Sequence, residues 1–222
     1  VYVFSVGVAA SAFKQISPEA KYDRVFVIGS SHRQAFEGAL VYTRGDYVTP
    51  LGKVEVDQEV AGHLIESSSV VSADPTPHKD EHSLEVQLPF LQHHLQHPFK
   101  LVPIVVGPHD ASAPADIARL LDPWFKPGNL FVISTDFSHY PPYEKARNVD
   151  SLTAEAILSK DPAELNTTLE RNKLKNIEGL ATSLCGWTSV LTLMHLTRDK
   201  DDLEYVDIEY KNSGDSRMGD KD

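Results

Sequence analysis

The sequence predicts an α/β fold, with one domain whose largely parallel central sheet is flanked by helices. Two continuous apolar runs, at Arg24–Ile28 and Leu101–Gly107, have the composition of buried strands, and Asn129–Ser134 is predicted to be a further strand. Segments of helical periodicity alternate with strands along the chain, as a parallel sheet with helical crossovers requires. With 222 residues, 41% of them hydrophobic, we expect a single domain over residues 1–222 around a substantial core.

Periodicity and turn residues assign the individual elements. The predicted strands, in chain order, are Arg24–Ile28, Ala39–Thr43, Lys53–Val56, Leu101–Gly107, Asn129–Ser134 and Leu203–Tyr210. The predicted helices, in chain order, are Val8–Gln15, Asp57–Glu66, His82–Leu95, Ala113–Leu121, Tyr143–Ser159, Pro162–Arg171 and Ser183–Leu196. No repeat or linker divides them.

Local signals set several of these boundaries. Ser17-Pro18 ends the first helix, and the Gly45-Asp46 turn separates the second and third strands. The Asp57 carboxylate is placed to accept the free amides of the helix that follows it. Ser72–Asp80 contains two prolines and is predicted to be a loop, and Pro89 is predicted to interrupt the helix that follows.

Charge and composition exclude some classes of protein. The 21 basic residues against 32 acidic ones give a formal charge of -11, which opposes nucleic-acid binding. A cationic ligand or a metal would suit this charge, and a solvated acidic surface explains it equally well. No apolar run approaches the roughly 20 residues that span a bilayer, and no signal peptide is visible. The single cysteine, Cys185, excludes an internal disulfide framework and indicates a cytoplasmic location.

Polar side chains follow two of the predicted strands. The first buried strand leads to His32, and Asn129–Ser134 leads to Asp136 and His139. Ligands of open α/β sheets bind beyond the carboxyl ends of strands, so these positions are candidates for a site. His82, which opens the helix after the proline loop, is a further candidate. We expect the Asp136 carboxylate to orient the His139 imidazole.

Each candidate also has a structural interpretation. His32 would then cap a turn, and His82 would be an ordinary first-turn residue. Cys185 precedes a helix, where the helix dipole favours a thiolate, but a buried cysteine also behaves as a small hydrophobe. His93, His94 and His97 look like a solvated surface. Spacing alone therefore supports only a weak metal hypothesis.

Six motifs in order resemble the Memo family over nearly the whole chain. They are Gly29-Ser30-Ser31-His32, Thr49-Pro50-Leu51-Gly52, Asp80-Glu81-His82-Ser83-Leu84-Glu85 with Leu88-Pro89-Phe90, Ser134-Thr135-Asp136-Phe137-Ser138-His139-Tyr140, Cys185-Gly186, and Tyr210-Lys211-Asn212-Ser213-Gly214-Asp215. The resemblance implies a fold similar to class III extradiol dioxygenases, which hold non-haem Fe(II) with histidines and a carboxylate. In Memo proteins two histidines and a cysteine are the ligands, with copper and iron both reported.

The resemblance assigns roles to five residues. His32 and Cys185 match metal ligands, and His82, Asp136 and His139 match polar residues that line the same cleft, where we expect them to act as acid, base or orienting groups. The other ligand histidine of the family lies in a His-Ala-Gly-Tyr segment, of which only the part from Tyr2 onwards has a match here. Both ends of the sequence look cut, so we expect either a preceding segment that carries this histidine or an incomplete site.

The resulting hypothesis is a protein that binds iron or copper and acts as a dioxygenase-like oxidoreductase on an unnamed substrate. Imidazole and thiolate suit these metals, whereas Mg²⁺ and Ca²⁺ prefer oxygen ligands. One alternative is a non-catalytic module that binds a phosphopeptide in the same cleft, with Arg33 receiving the phosphate. Another is a ring-cleaving extradiol dioxygenase, although Cys185 replaces the carboxylate that such enzymes use. A radical-SAM protein is the expected pathway partner, because bacterial relatives are associated with one by name.

Overall fold

The structure, a computed structural model, describes residues 2–79, 81–219 and 221. Contacts divide the chain into two compact units. The sheet unit is Ser17–Thr135 with Gly186–Leu196, and the helical unit comprises Asp136–Cys185 with the described residues before Ser17 and after Leu196. The prediction of one domain over residues 1–222 stays a prediction, and Asp80 of the third motif lies outside the described residues.

Among the described residues, strands and helices are interspersed along the chain up to the last strand, and only helices follow it. The strands are β1 Arg24–Ser30, β2 Ala39–Val41, β3 Tyr47–Thr49, β4 Gly52–Val54, β5 Val71–Ser72, β6 Lys100–Val106 and β7 Asn129–Ser134. The helices are α1 Tyr2–Phe13, α2 Gln58–Ser67, α3 Thr76–Lys79, α4 His82–Glu85, α5 Leu88–His94, α6 Ala113–Leu121, α7 Tyr143–Leu158, α8 Pro162–Leu174 and α9 Trp187–Thr197.

The sheet unit is built on five strands in the order β5-β2-β6-β1-β7. β1 pairs in parallel with β6 and β7, and β2 pairs in parallel with β5 but antiparallel with β6. The register places Gly29 opposite Ser134, so β1 and β7 end at the same level. The sheet is therefore largely parallel, as the apolar runs predict, and its carboxyl ends lead into the loops that carry polar side chains.

Both faces of this sheet are covered. Phe26 stacks on Phe131, with ring centroids 4.5 Å apart, in a core that α2 and α6 complete. On the other face Val25 and Val27 are fully buried as well, and α4 contacts β1 and β6. Burial on both faces explains why these strands read as continuous apolar runs instead of alternating ones.

In the helical unit, α7 packs against α8. The Asp161 side chain caps α8 by accepting a hydrogen bond from the Ala163 amide at 2.9 Å. The buried face of α7 follows helical spacing and consists of Ala146, Val149, Asp150, Thr153 and Ala156. Asp150 is thus a carboxylate on an otherwise small and apolar helix face.

Some predicted elements differ from the structure. Leu203–Tyr210 is not a strand: Val206 and Ile208 are exposed, and within the described residues the segment joins no ladder. The alternation of its side chains predicted two faces, but a strand also needs a neighbour for its backbone groups. The predicted loop Ser72–Asp80 contains the short helix α3, and the helix predicted from Ser183 begins only at Trp187, which leaves Cys185 in the preceding turn.

Other boundaries agree closely. The N-cap of α2 is confirmed, because the Asp57 carboxylate accepts a hydrogen bond from the Val60 amide at 3.1 Å. The helix predicted over His82–Leu95 is interrupted, as predicted, but the break falls between Glu85 and Leu88, and Pro89 lies in the first turn of α5. β3 and β5 carried no apolar run long enough to predict them. Among the residues described, none of the helices combines the length and the apolar character that crossing a membrane requires.

Candidate functional site

The first cluster of candidate metal ligands lies in the sheet unit. We call His32, Glu81 and His82 the His32 group; one ligand atom from each lies within 4.8 Å of the other two. The imidazole rings of His32 and His82 have centroids 5.0 Å apart. His32 follows the end of β1 and His82 begins α4, so the fold of this unit brings two separate motifs together.

Glu81 holds this group in place. Its Oε2 accepts a hydrogen bond from the His32 amide at 2.7 Å, and its Oε1 accepts one from His32 Nδ1 at 3.0 Å. The Ser83 amide donates to Oε1 at 2.9 Å, which makes Glu81 the N-cap of α4. One buried carboxylate therefore fixes both the backbone and the ring of His32.

The charge of Glu81 sets the tautomer of His32. Burial acts to raise the pKa of the Glu81 carboxyl, but hydrogen bonds from the His32 ring and from the Ser83 and His32 amides outweigh it and lower the pKa from 4.5 to about 2. An ionised carboxylate only accepts hydrogen bonds, so the proton of a neutral His32 ring lies on Nδ1. The lone pair of Nε2 is then directed away from Glu81, in the arrangement that metal-binding histidines use.

A glycine allows β1 to approach α4 this closely. A Cβ atom at Gly29 would lie 2.5 Å from Ser83 Oγ and 3.2 Å from a methyl carbon of Leu84. Any larger residue at Gly29 would push the first turn of α4 away from β1. Close packing of β1 against α4 therefore explains why the Gly-Ser-Ser-His motif begins with glycine.

The second cluster lies in the helical unit. We call Asp136, His139 and Cys185 the Cys185 group; one ligand atom from each again lies within 4.8 Å of the other two. Asp136 is exposed, whereas His139 and Cys185 are half-buried. An accessible thiol beside an imidazole and a carboxylate is a donor set that iron, copper or zinc would accept.

Backbone contacts join Cys185 to Asp136. The Cys185 amide donates to the Asp136 carbonyl at 3.0 Å, and the Asp136 amide donates to Cys185 Sγ at 3.2 Å. These reciprocal contacts fix the sulfur beside the loop that carries the other two members of the group.

The His139 ring is oriented by its own loop. His139 Nδ1 lies 3.0 Å from the Phe137 carbonyl, which as an acceptor places the ring proton on Nδ1 and leaves the Nε2 lone pair available. His139 also forms a two-way backbone bridge with the segment at Thr182. The Phe137 carbonyl is thus one group that orients this ring, and orientation by the Asp136 carboxylate, a ligand atom of which lies within 4.8 Å of one on His139, stays a prediction.

Asp150, on α7, holds the same loop in place by hydrogen bonding. Its Oδ1 accepts a hydrogen bond from the Ser138 amide at 2.9 Å, and its Oδ2 accepts one from the Tyr210 hydroxyl at 2.7 Å. Asp150 is only 3% exposed. The pKa of the Tyr210 phenol is raised, first by burial of Tyr210 and second by its hydrogen bond to Asp150. Asp150 is therefore a buried anchor for the backbone that carries His139.

A glycine begins the turn after Cys185, in the sheet unit. The Gly186 amide donates to Thr135 Oγ1 at 2.9 Å, and a Cβ atom at Gly186 would lie 2.7 Å from that oxygen. Ser30 Oγ and Thr188 Oγ1, which lie 2.7 Å apart, join the end of β1 to the first turn of α9. Small side chains at Gly186 and Ser30 therefore allow the ends of β1 and β7 to approach the start of α9 closely.

The predicted site residues thus fall into two groups. His32 and His82 lie together in the sheet unit, and Asp136, His139 and Cys185 lie together in the helical unit. That His32 and Cys185 hold the same ion stays a prediction. The sequence did not identify Glu81 as a site residue, although Glu81 directly precedes His82. Asp150 was missed as well, and the signal that could have found it is a charged residue on the buried face of α7.

Comparison with known proteins identifies the family of this chain. The family described as Memo-like protein matches residues 1–222. A MEMO1 family protein from Methanosarcina mazei is 34% identical over 224 residues, covering 100% of this chain and 78% of its own length. MEMO1 family proteins from Desulfurococcus amylolyticus and Methanobrevibacter smithii are 30% and 32% identical, covering 97% and 96% of this chain and 74% of their own lengths.

A solved structure supports the fold class. Uncharacterized protein JW3007 from Escherichia coli K12 superposes with a TM-score of 0.54 and 16% identity, covering 88% of this chain and 80% of that one. This likeness concerns the fold alone, and it is consistent with the dioxygenase-like α/β fold that the resemblance implied. Because the family model matches residues 1–222 and a MEMO1 family protein is 34% identical over the whole chain, we conclude that the chain belongs to the Memo family.

Proposed function

We propose that this chain binds a redox-active transition metal, iron or copper, through His32 and Cys185, and acts as an oxidoreductase. The observation that carries the proposal is that each of these residues belongs to a cluster of three donor side chains within 4.8 Å of one another. Imidazole and thiolate donors fit iron, copper and zinc, and they do not fit Mg²⁺ or Ca²⁺.

When bound, iron or copper supplies a redox couple and open coordination positions for small molecules. The chain's own residues prepare for it. Glu81 holds the Nδ1 proton of His32, so Nε2 is the coordinating atom. The Asp136 amide fixes the Cys185 sulfur, which leaves the remaining lone pairs of that sulfur for coordination.

The other residues of the two groups move protons or orient the site. His82 is half-exposed beside His32, with its Nδ1 3.7 Å from Glu81 Oε1, and serves as an acid or a base. His139 presents Nε2 as a proton acceptor, because Nδ1 is directed at the Phe137 carbonyl. Asp136 is exposed and carries a carboxylate for the same purpose. The single cysteine is compatible with the reducing cytosol, where we place this activity.

Metal analysis tests the proposal. The chain is purified without chelators, loaded with Fe(II) or Cu(II), desalted and analysed by mass spectrometry of its metal content. We expect His32→Ala and Cys185→Ser each to lose the metal, and His93→Ala, an exposed histidine at the end of α5, to keep it. The proposal fails if the loaded wild-type chain retains neither metal, or if His32→Ala and Cys185→Ser both retain as much as wild type.

A further inference from the structure

An open cleft of about 530 Å³ lies in the sheet unit. Among the residues that the structure describes, it is lined by Arg33, Lys79, Glu81 and Glu85. These four residues give the cleft side-chain charges of both signs, which suits a ligand that carries both signs as well. The size is in the range of clefts that enclose small organic molecules.

The four charges are not equally available to a ligand. Glu81 is buried, and its carboxylate oxygens already accept hydrogen bonds from the His32 amide, the His32 ring and the Ser83 amide. Arg33, Lys79 and Glu85 are exposed, and within the described part of the chain none of these three forms an ion pair. Of the described residues, a ligand therefore meets two cations and one carboxylate that has no ion pair.

We propose that this cleft binds a free α-amino acid as a zwitterion, with its carboxylate on Arg33 and Lys79 and its ammonium group on Glu85. The guanidinium of Arg33 offers a planar pair of N–H donors that matches a carboxylate. The inference rests on the proposed function in one respect: it makes the amino acid the substrate of the metal site. Glu81 belongs to both the cleft and the His32 group, so the bound molecule lies beside His32.

Charge favours a zwitterion over a polyanion such as a phosphopeptide. The chain carries a formal charge of -11, which repels anions in general. Inside the cleft, a ligand without an ammonium group would leave Glu85 facing its negative charge. A zwitterion satisfies both signs of the lining and carries no net charge of its own.

Ligand-observed NMR tests the proposal on the whole chain, with and without metal. The standard L-α-amino acids are screened one by one at millimolar concentration. The best binder is then compared with the amine and the acid that lack its carboxylate or its ammonium group. We expect the amino acid to bind more tightly than either truncated compound. A phosphotyrosine peptide is the competing probe.

Two variants separate the two ends of the ligand. Arg33→Gln should weaken the binding of the amino acid and of the acid about fivefold, which is the upper end for an exposed charge pair. Binding of the amine should stay unchanged. Glu85→Gln should weaken the binding of the amino acid and of the amine by a similar factor, and it should leave the binding of the acid unchanged. Arg44→Gln and Glu66→Gln, exposed residues outside the lining, are the matched controls and should bind like wild type.

Several results would overturn the inference. They are the absence of binding by any standard amino acid, equal binding of the acid and the amino acid, and binding of the phosphopeptide in preference to both. Metal content is measured on the same samples, and Arg33→Gln and Glu85→Gln should keep wild-type amounts. Amino-acid binding by a chain that holds no metal would refute the proposed function alone, whereas metal retention without amino-acid binding would refute this inference alone.

Discussion

The Glu81 carboxylate receives both the backbone amide and the ring Nδ1 of His32, at 2.7 and 3.0 Å. Each of its two oxygens therefore has a separate contact with the same histidine. Because the Ser83 amide binds Glu81 as well, the start of α4 and the loop after β1 are joined through one side chain. This relationship makes Glu81 the positioning residue of the His32 group.

Replacing Glu81 with Gln should weaken metal binding about tenfold to hundredfold, the usual cost of losing a carboxylate that orients a metal-binding histidine. A neutral amide is a weaker acceptor for the His32 ring proton and no longer selects the Nδ1-protonated tautomer. Titration of the metal-free chain gives the dissociation constant, and nitrogen NMR of the imidazoles gives the tautomer. Glu66→Gln is the control. An unchanged dissociation constant together with an unchanged His32 tautomer would contradict this role for Glu81.

His78 should make the sheet unit less stable in acid. Burial lowers the pKa of His78 from 6.5 to about 4, its Nε2 lies 3.1 Å from the Leu40 carbonyl, and the residue is 6% exposed. The unfolded chain therefore binds a proton on His78 at a higher pH than the folded chain does. The stabilisation is present above pH 6.5 and is lost as the pH falls from there towards 4, by about 3 kcal/mol in total.

Urea unfolding at a series of pH values measures this effect. His78→Gln removes the titrating group and should flatten the dependence between these pH values, although it lowers stability at neutral pH. His93→Gln, at an exposed position, should keep the wild-type slope. If His78→Gln and wild type lose the same free energy of unfolding on acidification, the pKa of His78 is not lowered in the folded chain.

Asp150 should be essential for the stability of the helical unit. Asp150→Ala leaves the Ser138 amide and the Tyr210 hydroxyl without their acceptor, at a cost of about 2 kcal/mol. Asp150→Asn keeps one acceptor oxygen for the Ser138 amide and should cost less. Hydrogen exchange of the residue 136–140 backbone measures the local effect, with Asp199→Ala, an exposed residue, as the control. Equal protection in Asp150→Ala and wild type would show that Asp150 does not anchor the loop.

Gly186→Ala should destabilise the sheet unit by about 1–3 kcal/mol, because the new methyl group would overlap Thr135 Oγ1 and the Ser134 carbonyl. Gly62→Ala is the matched control. Gly62 lies inside α2 with nothing within 4 Å of the added Cβ, so the same substitution should be neutral or slightly stabilising there. Thermal unfolding compares the two variants, and a loss of stability in Gly62→Ala as large as in Gly186→Ala would refute the packing argument.

The sequence predicts the parts of this fold that depend on local pattern. β1 and β6 are buried on both faces, whereas β7 is half-buried at the edge of the sheet, and all three appear as uninterrupted apolar runs. Asp57 marks the beginning of α2. Leu203–Tyr210 has the alternation of a strand but no pairing within the described residues, which a pattern in one segment does not report. The three-residue strand β3 is too short for periodicity to identify it.

The same limit applies to the site. Residues directly after strands, such as His32 and Asp136, are found by their position in the chain. Glu81 acts on a histidine 49 positions away, and Asp150 acts on the Ser138 amide from the buried face of α7. Neither role has a local signature, because both depend on which loops the fold brings together.

X-ray absorption at the iron or copper edge of the loaded chain tests the central claim most directly. We expect a coordination shell with one sulfur scatterer from Cys185 among nitrogen and oxygen scatterers, and we expect Cys185→Ser to lose the sulfur and His32→Ala to lose imidazole scattering. A shell of nitrogen and oxygen alone in the wild-type chain, or a sulfur signal that persists in Cys185→Ser, would contradict the assignment of these two ligands.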